Sequence, residues 1–186
     1  MVLLSTPLCN YGEKMPNFKL KNIDESFIDQ DMIKGKKGTL VFFICNHCPY
    51  VKAITKKLVF TVNEITKYGI KSVAIMPNDI IKYPEDDFEN MKNFYNNNDF
   101  NFPYLIDYDQ SVAKKFGAVC TPDFFGYNKK NELQYRGRIA EMKNLKFVNT
   151  KNDLLDAMIE ISQTQNGPQN QYASAGCSVK WKEIKK

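Results

Sequence analysis

The sequence lacks long apolar runs. No stretch approaches the roughly 20 consecutive apolar residues that a membrane helix needs, and the opening MVLLSTPLCN has neither the basic start nor the apolar core of a secretory signal. These absences predict a cytoplasmic protein without a membrane partner. The chain has 186 residues, of which 43% are hydrophobic, and this size suits one compact domain. We predict that the domain covers residues 1–165 and that an extended, polar C-terminal tail covers residues 166–186.

A basic stripe is also missing, although the formal net charge is +5. The 26 lysines and arginines are scattered along the chain and do not alternate with aromatic residues. Surfaces that bind nucleic acid need basic side chains clustered on one face. The charge pattern therefore predicts no nucleic-acid partner.

The cysteines do not form a disulfide framework, because their number is odd and their spacing irregular. A structural zinc site would need a second pair of cysteines or histidines, and His47 is the only histidine. Redox chemistry, nucleophilic chemistry and inert buried thiols are the remaining interpretations. The five residues are Cys9, Cys45, Cys48, Cys120 and Cys177.

The first half of the chain alternates buried strands and helices. The runs TLVFFI and IKSVAIMP have no polar alternation, which is typical of strands buried on both faces. Between them, apolar residues at helical spacing predict a helix that begins at Pro49 and stops at Gly69. A second helix is predicted to begin at Pro84 and to give way to a loop in the asparagine run NNN.

The second half predicts a short strand FPYLID and a short helix with Asp109 as its cap and Gly117 as its end. The segment VCTPDFFGYNKKNELQYRGRIA predicts two antiparallel strands, and TKNDLLDAMIEISQ predicts a closing helix. Strands that alternate with helices and end in a hairpin and a helix predict a layered α/β sandwich.

Cys48 is the strongest candidate for a reactive residue. With Pro49 at the first helical position, Cys48 falls at the helix N-cap. A thiolate at that position faces free backbone N–H groups and the positive end of the helix dipole, which lower the pKa of a cysteine from about 8.5 towards 3.5 to 7.5. The sequence therefore predicts Cys48 as a nucleophile.

Two neighbours of Cys48 lie in the same turn. Cys45 is three residues back, so its sulfur can form a disulfide with Cys48 if the turn brings their Cα atoms within about 7 Å. The alternative is that Cys45 is a small apolar residue at the end of a buried strand. His47 is either an aid to proton transfer at the thiolate or a turn residue with its ring in solvent.

Four segments together resemble one family. GEKMPNFKL, TLVFFICNHCPYVK, GAVCTPDFFGYN and GCSVKWK are similar to motifs of the thioredoxin superfamily, in the branch of TlpA-like and AhpC/TSA-like redoxins. The resemblance implies a thioredoxin-like three-layer sandwich with a central mixed β-sheet, an N-terminal redoxin extension and an extended C-terminal tail. It also implies a cis peptide bond before Pro122 and a backbone at Thr121 that is free to pair with an extended peptide substrate, with His47 beside it.

The motif departs from the usual thioredoxin pattern. Aligned with that family, Cys48 takes the place of the attacking cysteine and Val51 takes the place of the second cysteine. The thiol that resolves the mixed disulfide must then be Cys45, Cys120 or Cys177, the last of which is predicted to swing in from a mobile tail.

We expect a thiol–disulfide oxidoreductase with Cys48 as nucleophile and Cys45 as resolving thiol. No cofactor is expected, because the cysteines carry the electrons. The partners are a protein or small-molecule disulfide, or a peroxide, and a recycling thiol reductant.

Two other functions stay open. A thiol peroxidase would use Cys48 with Cys120 or Cys177, but the peroxiredoxin pattern P-x-x-x-T-x-x-C needs proline and threonine where this chain has Val41 and Cys45. The peroxide-aligning arginine would have to be one of the only two arginines, Arg136 or Arg138. A redox sensor would use the same pair of thiols for regulation. A soft-metal module would use Cys45, Cys48 and His47, because this set of ligands suits Cu(I).

Overall fold

The computed structural model of this chain describes residues 3–183. These residues form four α-helices: α1 (Pro49–Lys67), α2 (Phe88–Asn97), α3 (Ser111–Phe116) and α4 (Asp153–Thr164), with a 3-10 turn at Pro84–Asp86. The strands are β1 (Leu3–Ser5), β2 (Lys19–Asn22), β3 (Phe27–Asp29), β4 (Gly38–Phe43), β5 (Ile70–Met76), β6 (Tyr104–Ile106), β7 (Cys120–Thr121), β8 (Asp123–Asn128), β9 (Leu133–Gly137), β10 (Met142–Lys143), β11 (Lys146–Phe147) and β12 (Ala175–Ser178).

The centre of the molecule is a seven-stranded mixed sheet with the order β3-β2-β6-β5-β4-β8-β9. Strands β4, β5 and β6 are parallel, and β8, β9, β2 and β3 pair with their neighbours in antiparallel orientation. Every residue of β4 is buried, as its uninterrupted apolar sequence predicts. The mixed α/β sheet confirms the predicted fold class.

Side chains of β4 alternate between two separate cores. Leu40 and Phe42 belong to the core that includes the buried face of α1. Val41 and Phe43 face the other core, where Phe43 contacts Phe116 of α3 at a ring-centroid distance of 5.5 Å. Because a sheet covered on both faces makes three layers, the predicted three-layer sandwich is confirmed.

Helix α1 carries the candidate nucleophile at its start. Its N-cap is Cys48, with extended backbone angles, and Pro49 is its first residue, as predicted. The helix ends at Lys67, just before Gly69 with its φ of +78°, a conformation that glycine adopts without steric cost.

Helix α2 begins later and ends later than the sequence predicts. Its first residue is Phe88, because Pro84–Asp86 form a separate 3-10 turn, so the predicted start at Pro84 is wrong. The Asp87 side chain caps it by accepting a hydrogen bond from the Asn90 N–H at 2.8 Å, and the helix continues to Asn97. The prediction of a loop throughout the asparagine run is therefore wrong. Asparagine is a weak helix former, and packing of the Met91 face against the core outweighs that preference.

Helix α3 ends at the predicted Gly117 but has a different cap. It begins after Gln110, which has a φ of +62°, and not after Asp109. The Asp109 carboxylate still accepts the Ser111 N–H at 2.9 Å, and the Asp107 carboxylate accepts the Ala113 N–H at 2.6 Å. Two aspartates before the helix therefore share its free N–H groups.

The C-terminal part of the chain is packed against the domain. Strand β12 lies between β1 and β7 in a small antiparallel sheet. Cys177 and Val179 are buried there, so the prediction that Cys177 lies in a mobile tail is wrong. Below, residues 174–182 are called the C-terminal segment. The domain boundary at residue 165 stays a prediction.

Among residues 3–183, no helix combines the length and the apolar character that crossing a bilayer requires.

Candidate active site

Cys48 lies where the turn after β4 meets the first turn of α1. Its side chain is 0% exposed. The Cys48 Sγ atom is 3.1 Å from the Cys177 Sγ atom and 3.2 Å from the Thr121 carbonyl oxygen. The two sulfurs are not bonded, since a disulfide measures about 2.05 Å, but they are in direct contact.

Neighbouring thiols make Cys48 acidic. A hydrogen bond from Cys45 is the main cause that lowers the pKa of Cys48 to about 5; burial opposes it, and hydrogen bonds from Cys177 and the Val51 N–H add to it. The pKa of Cys45 is raised well above its usual range, because Cys45 shares its proton with Cys48 and is buried. Burial and the same kind of hydrogen bond raise the pKa of Cys177 to about 12. The site thus holds one thiolate between two thiols.

Asp86 fixes the conformation of the turn between the two cysteines. Its carboxylate is 0% exposed and accepts hydrogen bonds from the Asn46 N–H at 2.8 Å and the His47 N–H at 3.2 Å. It also accepts one from the Asn78 side-chain amide at 2.8 Å. Although burial raises the pKa of Asp86, the bonds from His47, Asn78 and the backbone lower it below its ordinary value.

His47 faces Asp86. Its Nδ1 atom is 2.6 Å from the Asp86 carboxylate, and its ring stacks on Tyr83 at a centroid distance of 5.6 Å. The hydrogen bond to Asp86 raises the pKa of His47, and burial opposes this. The interpretation as a turn residue with its ring wholly in solvent is wrong, because the ring is partly buried and paired. Its expected role beside the substrate stays a prediction.

Thr121 and Pro122 lie directly opposite the cysteine turn. The peptide bond between them is cis, as the family resemblance implies. The Thr121 Oγ1 atom is 3.3 Å from the Cys45 Sγ atom. The backbone at Thr121 is not free for a peptide, however, because Cys177 of β12 is its antiparallel partner.

Cys120 and Cys177 occupy different environments. The Cys120 sulfur points to the Pro122 carbonyl oxygen, at 3.7 Å, and burial raises its pKa. Of the two, only Cys177 has a sulfur contact with Cys48 among those seen in residues 3–183.

Both arginines are engaged in ion pairs. Arg136 bonds Asp123 at 3.0 Å, and Arg138 bonds Asp153 at 2.7 Å. Neither ion pair includes Cys48 or a residue that contacts its sulfur, so the arrangement does not support a role for either arginine in aligning a peroxide.

Comparison with known proteins places this chain in a family. A sequence model of the AhpC/TSA family matches residues 11–139. The chain belongs to the AhpC/TSA family. It is therefore a redoxin of the thioredoxin superfamily, with a thiol-based redox function.

Solved structures share the fold of this chain. An uncharacterized conserved protein from Geobacillus kaustophilus is 34% identical, with a TM-score of 0.94 over 100% of this chain and 99% of that one. A hypothetical protein from Sinorhizobium meliloti is 31% identical, with a TM-score of 0.88 over 96% and 97%. The thioredoxin domain of a thiol-disulfide oxidoreductase from Bacteroides vulgatus shares the fold at 16% identity, with a TM-score of 0.58 over 68% and 86%. No curated protein sequence matches the chain.

Three polar residues of this redoxin site were not predicted from its sequence. In the sequence, Asp86 is one of three acidic residues in PEDD, a segment that predicts a helix start. Nothing in that pattern distinguishes it from its neighbours. Asn78 follows β5 in a loop that carries no motif, and Gln110 precedes α3 without being a typical capping residue. Each acts through contacts with distant segments, and a single sequence gives no signal for such contacts.

One group of side chains in the redoxin has the composition of a metal site. The ligand atoms of Cys45, His47 and Asp86 lie within 4.8 Å of one another. Two ligands at about 2.0 Å from a zinc ion would stand roughly 3.3 Å apart, whereas the His47 and Asp86 atoms are 2.6 Å apart and hydrogen-bonded. An ion would have to displace that hydrogen bond, so we do not assign a metal here.

The pH dependence of Cys48 reactivity follows from its environment. Because the pKa of Cys48 is lowered to about 5, the rate constant for its alkylation by iodoacetamide should fall only as the pH drops through about 5. Above about pH 6 it should stay nearly constant, since the thiol is already ionised. Mass spectrometry of the tryptic peptide of residues 38–52, with fragmentation to separate Cys45 from Cys48, measures this profile.

Cys9 provides the internal control. Burial raises the pKa of Cys9 to about 11, so the rate constant for its alkylation should still be rising with pH at about pH 9. A Cys48 profile that rises in parallel with that of Cys9 would contradict the thiolate assignment.

Proposed function

We propose that the protein is a thiol–disulfide oxidoreductase that uses Cys48 as its nucleophile. One observation supports this above all others: the Cys48 sulfur lies at the N-cap of α1 with a second thiol in contact, Cys177 at 3.1 Å. The lowered pKa of Cys48, which Cys45 and Cys177 cause in part, agrees with this geometry. A thiolate with a neighbouring thiol can both attack a disulfide and release itself from the product.

The reaction has two exchange steps. The Cys48 thiolate attacks one sulfur of the substrate disulfide, a mixed disulfide forms, and the other substrate sulfur leaves as a thiolate that takes up a proton. A neighbouring thiol then loses its proton, attacks Cys48 and releases the second substrate thiol. The substrate gains two electrons and two protons, the protein keeps an internal disulfide, and an external thiol reductant restores it.

Two thiols are candidates for the second step. Cys45 is the resolving thiol that the sequence predicts, and its contact with Thr121 keeps it in the turn. Cys177, which lies in β12, also contacts the Cys48 sulfur. We propose that both disulfides with Cys48 are accessible and that Cys120, which points to Pro122, takes no part.

A thiol peroxidase is the second candidate. It is favoured by the complete burial of Cys48 under the C-terminal segment, since a hydroperoxide is much smaller than a protein disulfide. In that case peroxide would oxidise Cys48 to a sulfenic acid, and Cys177 would condense with it and release water. The engagement of both arginines elsewhere weighs against this candidate.

Parallel assays separate the two functions. We expect the reduced protein to reduce a small-molecule disulfide such as hydroxyethyl disulfide at a rate constant at least about tenfold above its rate constant for hydrogen peroxide. Mapping of the oxidised protein by differential alkylation should show Cys48 joined to Cys45 or Cys177. Faster consumption of peroxide, with Cys48 trapped as a sulfenic acid, would instead establish the peroxidase.

A further inference from the structure

Gln110 holds the C-terminal segment just beyond Cys177. Its side chain is 1% exposed. The Nε2 atom donates to the Lys180 carbonyl oxygen at 2.8 Å and to the Pro77 carbonyl oxygen at 2.7 Å, and the Oε1 atom accepts the Lys182 N–H at 2.7 Å. One buried amide thus bonds the backbone of the segment on both sides of Trp181.

Asn78 holds the same part of the segment from another loop. It is 2% exposed, and its Oδ1 atom accepts the Lys180 N–H at 2.9 Å. The next residue, Asp79, donates its backbone N–H to the Lys180 carbonyl oxygen at 2.9 Å. The Asn78 amide nitrogen donates to Asp86, which holds the cysteine turn. Asn78 therefore joins the support of Cys48 to the support of Cys177.

These contacts explain why the segment stays in place. Strand β12 has only four residues, of which three pair with β1 and two pair with β7. The bonds of Gln110 and Asn78 therefore add to a short ladder of backbone hydrogen bonds. If the segment left, the polar atoms of Gln110 and Asn78 that bond it would lose their partners inside the protein. Leaving buried polar groups unpaired is unfavourable.

We propose that Gln110 and Asn78 are positioning residues that set the effective concentration of the Cys177 thiol at Cys48, and thereby decide which internal disulfide the protein forms. This inference rests on the proposed function, because it takes Cys48 as the cysteine that is oxidised. We call the hydrogen bonds from Gln110 and Asn78 to residues 180–182 the clasp. With the clasp intact, Cys177 is held in contact with Cys48 and the Cys48–Cys177 disulfide is favoured. With the clasp broken, Cys177 moves away and Cys45 takes over.

The two disulfides are isomers that interconvert by thiol–disulfide exchange. Oxidised glutathione removes two electrons from the protein: Cys48 displaces one glutathione thiolate, and Cys45 or Cys177 displaces the second. The Cys45 thiolate can then attack Cys48 in the Cys48–Cys177 disulfide and release the Cys177 thiolate. At equilibrium the ratio of the two isomers is independent of the glutathione potential.

The test compares the wild-type chain with Gln110→Asn after equilibration with a glutathione buffer and acid quenching. The shorter amide cannot span the same bonds, while asparagine still tolerates the φ of +62° at this position. Trypsin leaves Cys45 and Cys48 in one peptide, residues 38–52, and Cys177 in another, residues 152–180, and fragmentation identifies the bonded sulfurs. We expect the ratio of Cys48–Cys177 to Cys45–Cys48 to fall about tenfold, because effective concentration depends steeply on geometry.

Gln165→Asn is the matched control. Gln165 is also a glutamine at positive φ, +68°, whose amide bonds backbone carbonyl groups, but it caps α4 and bonds Lys37. Its substitution should leave the disulfide ratio unchanged.

A second variant tests the clasp from the other side. Lys182→Pro removes the N–H that donates to Gln110 and lies too near the C-terminus to prevent folding, and Glu183→Pro is its control. We expect Lys182→Pro to lower the ratio in the same direction. An unchanged ratio in both Gln110→Asn and Lys182→Pro, or a wild type that forms no Cys48–Cys177 disulfide, would overturn the inference. Neither result would abolish disulfide reduction through Cys48, so failure of this inference is distinguishable from failure of the proposed function.

Discussion

Replacing Cys48 with serine is expected to lower the rate of disulfide reduction by about a factor of 10³ or more. The Cys48 sulfur is the thiolate of the site, since the pKa of Cys48 is lowered to about 5 whereas those of Cys45 and Cys177 are raised. A serine hydroxyl is not ionised at neutral pH, so Cys48→Ser removes the nucleophile and leaves two protonated thiols. Turnover of insulin or of a small disulfide, with an external thiol as reductant, measures the loss.

Cys120→Ser is the control for this substitution. Cys120 is as fully buried as Cys48 and lies beside Thr121, but its sulfur points to the Pro122 carbonyl oxygen. A serine there should change stability more than rate. If Cys48→Ser kept full activity, or if Cys120→Ser abolished it in a folded protein, Cys48 would not be the nucleophile.

The parts of this site that the sequence predicts are those that depend on neighbouring residues. The apolar run of β4, Pro49 at the first helical position and the apolar spacing of α1 together place Cys48 at a helix N-cap. Each of these features follows from local backbone geometry and from burial of one face. For the same reason the predicted alternation of strands and helices and the hairpin of β8 and β9 agree with the structure.

The parts that could not be predicted depend on residues far apart in the chain. Cys177 meets Cys48 across 129 positions, and Asp86 meets Asn46 across 40. Residues 166–186 are mostly polar, which is typical of a solvated tail. A few buried side chains and the amides of Gln110 and Asn78 are enough to pack residues 174–182, and composition does not reveal such specific contacts.

Predicting the acidity of Cys48 also needs both the local sequence and the contacts between distant residues. The N-cap position supplies the Val51 N–H and is visible in the sequence. The two thiol hydrogen bonds are not, because one depends on the conformation of the turn and the other on the packing of β12. The lowered pKa is therefore a property of the assembled fold, and it should be lost when the turn or the C-terminal segment is disturbed.

Asp86→Ala is expected to lower the free energy of unfolding by about 3 kcal/mol or more. The carboxylate is the shared acceptor for two backbone N–H groups of the cysteine turn, for the His47 ring and for the Asn78 amide. Alanine leaves these donors without an acceptor in a buried space, and each unpaired buried donor costs roughly 1 to 3 kcal/mol, less where water enters. Denaturation by urea measures the change.

Asp87→Ala is the matched control, because it removes the neighbouring carboxylate. Asp87 caps α2 through the Asn90 N–H, and loss of such a cap costs about 1 kcal/mol. The two variants also differ at His47, the only histidine of the chain, whose proton NMR titration is free of overlap. The pKa of His47 is raised mainly by the hydrogen bond to Asp86, so it should fall towards its ordinary value in Asp86→Ala and stay unchanged in Asp87→Ala. Equal losses of stability in the two variants, with the same His47 titration, would show that Asp86 does not hold the cysteine turn.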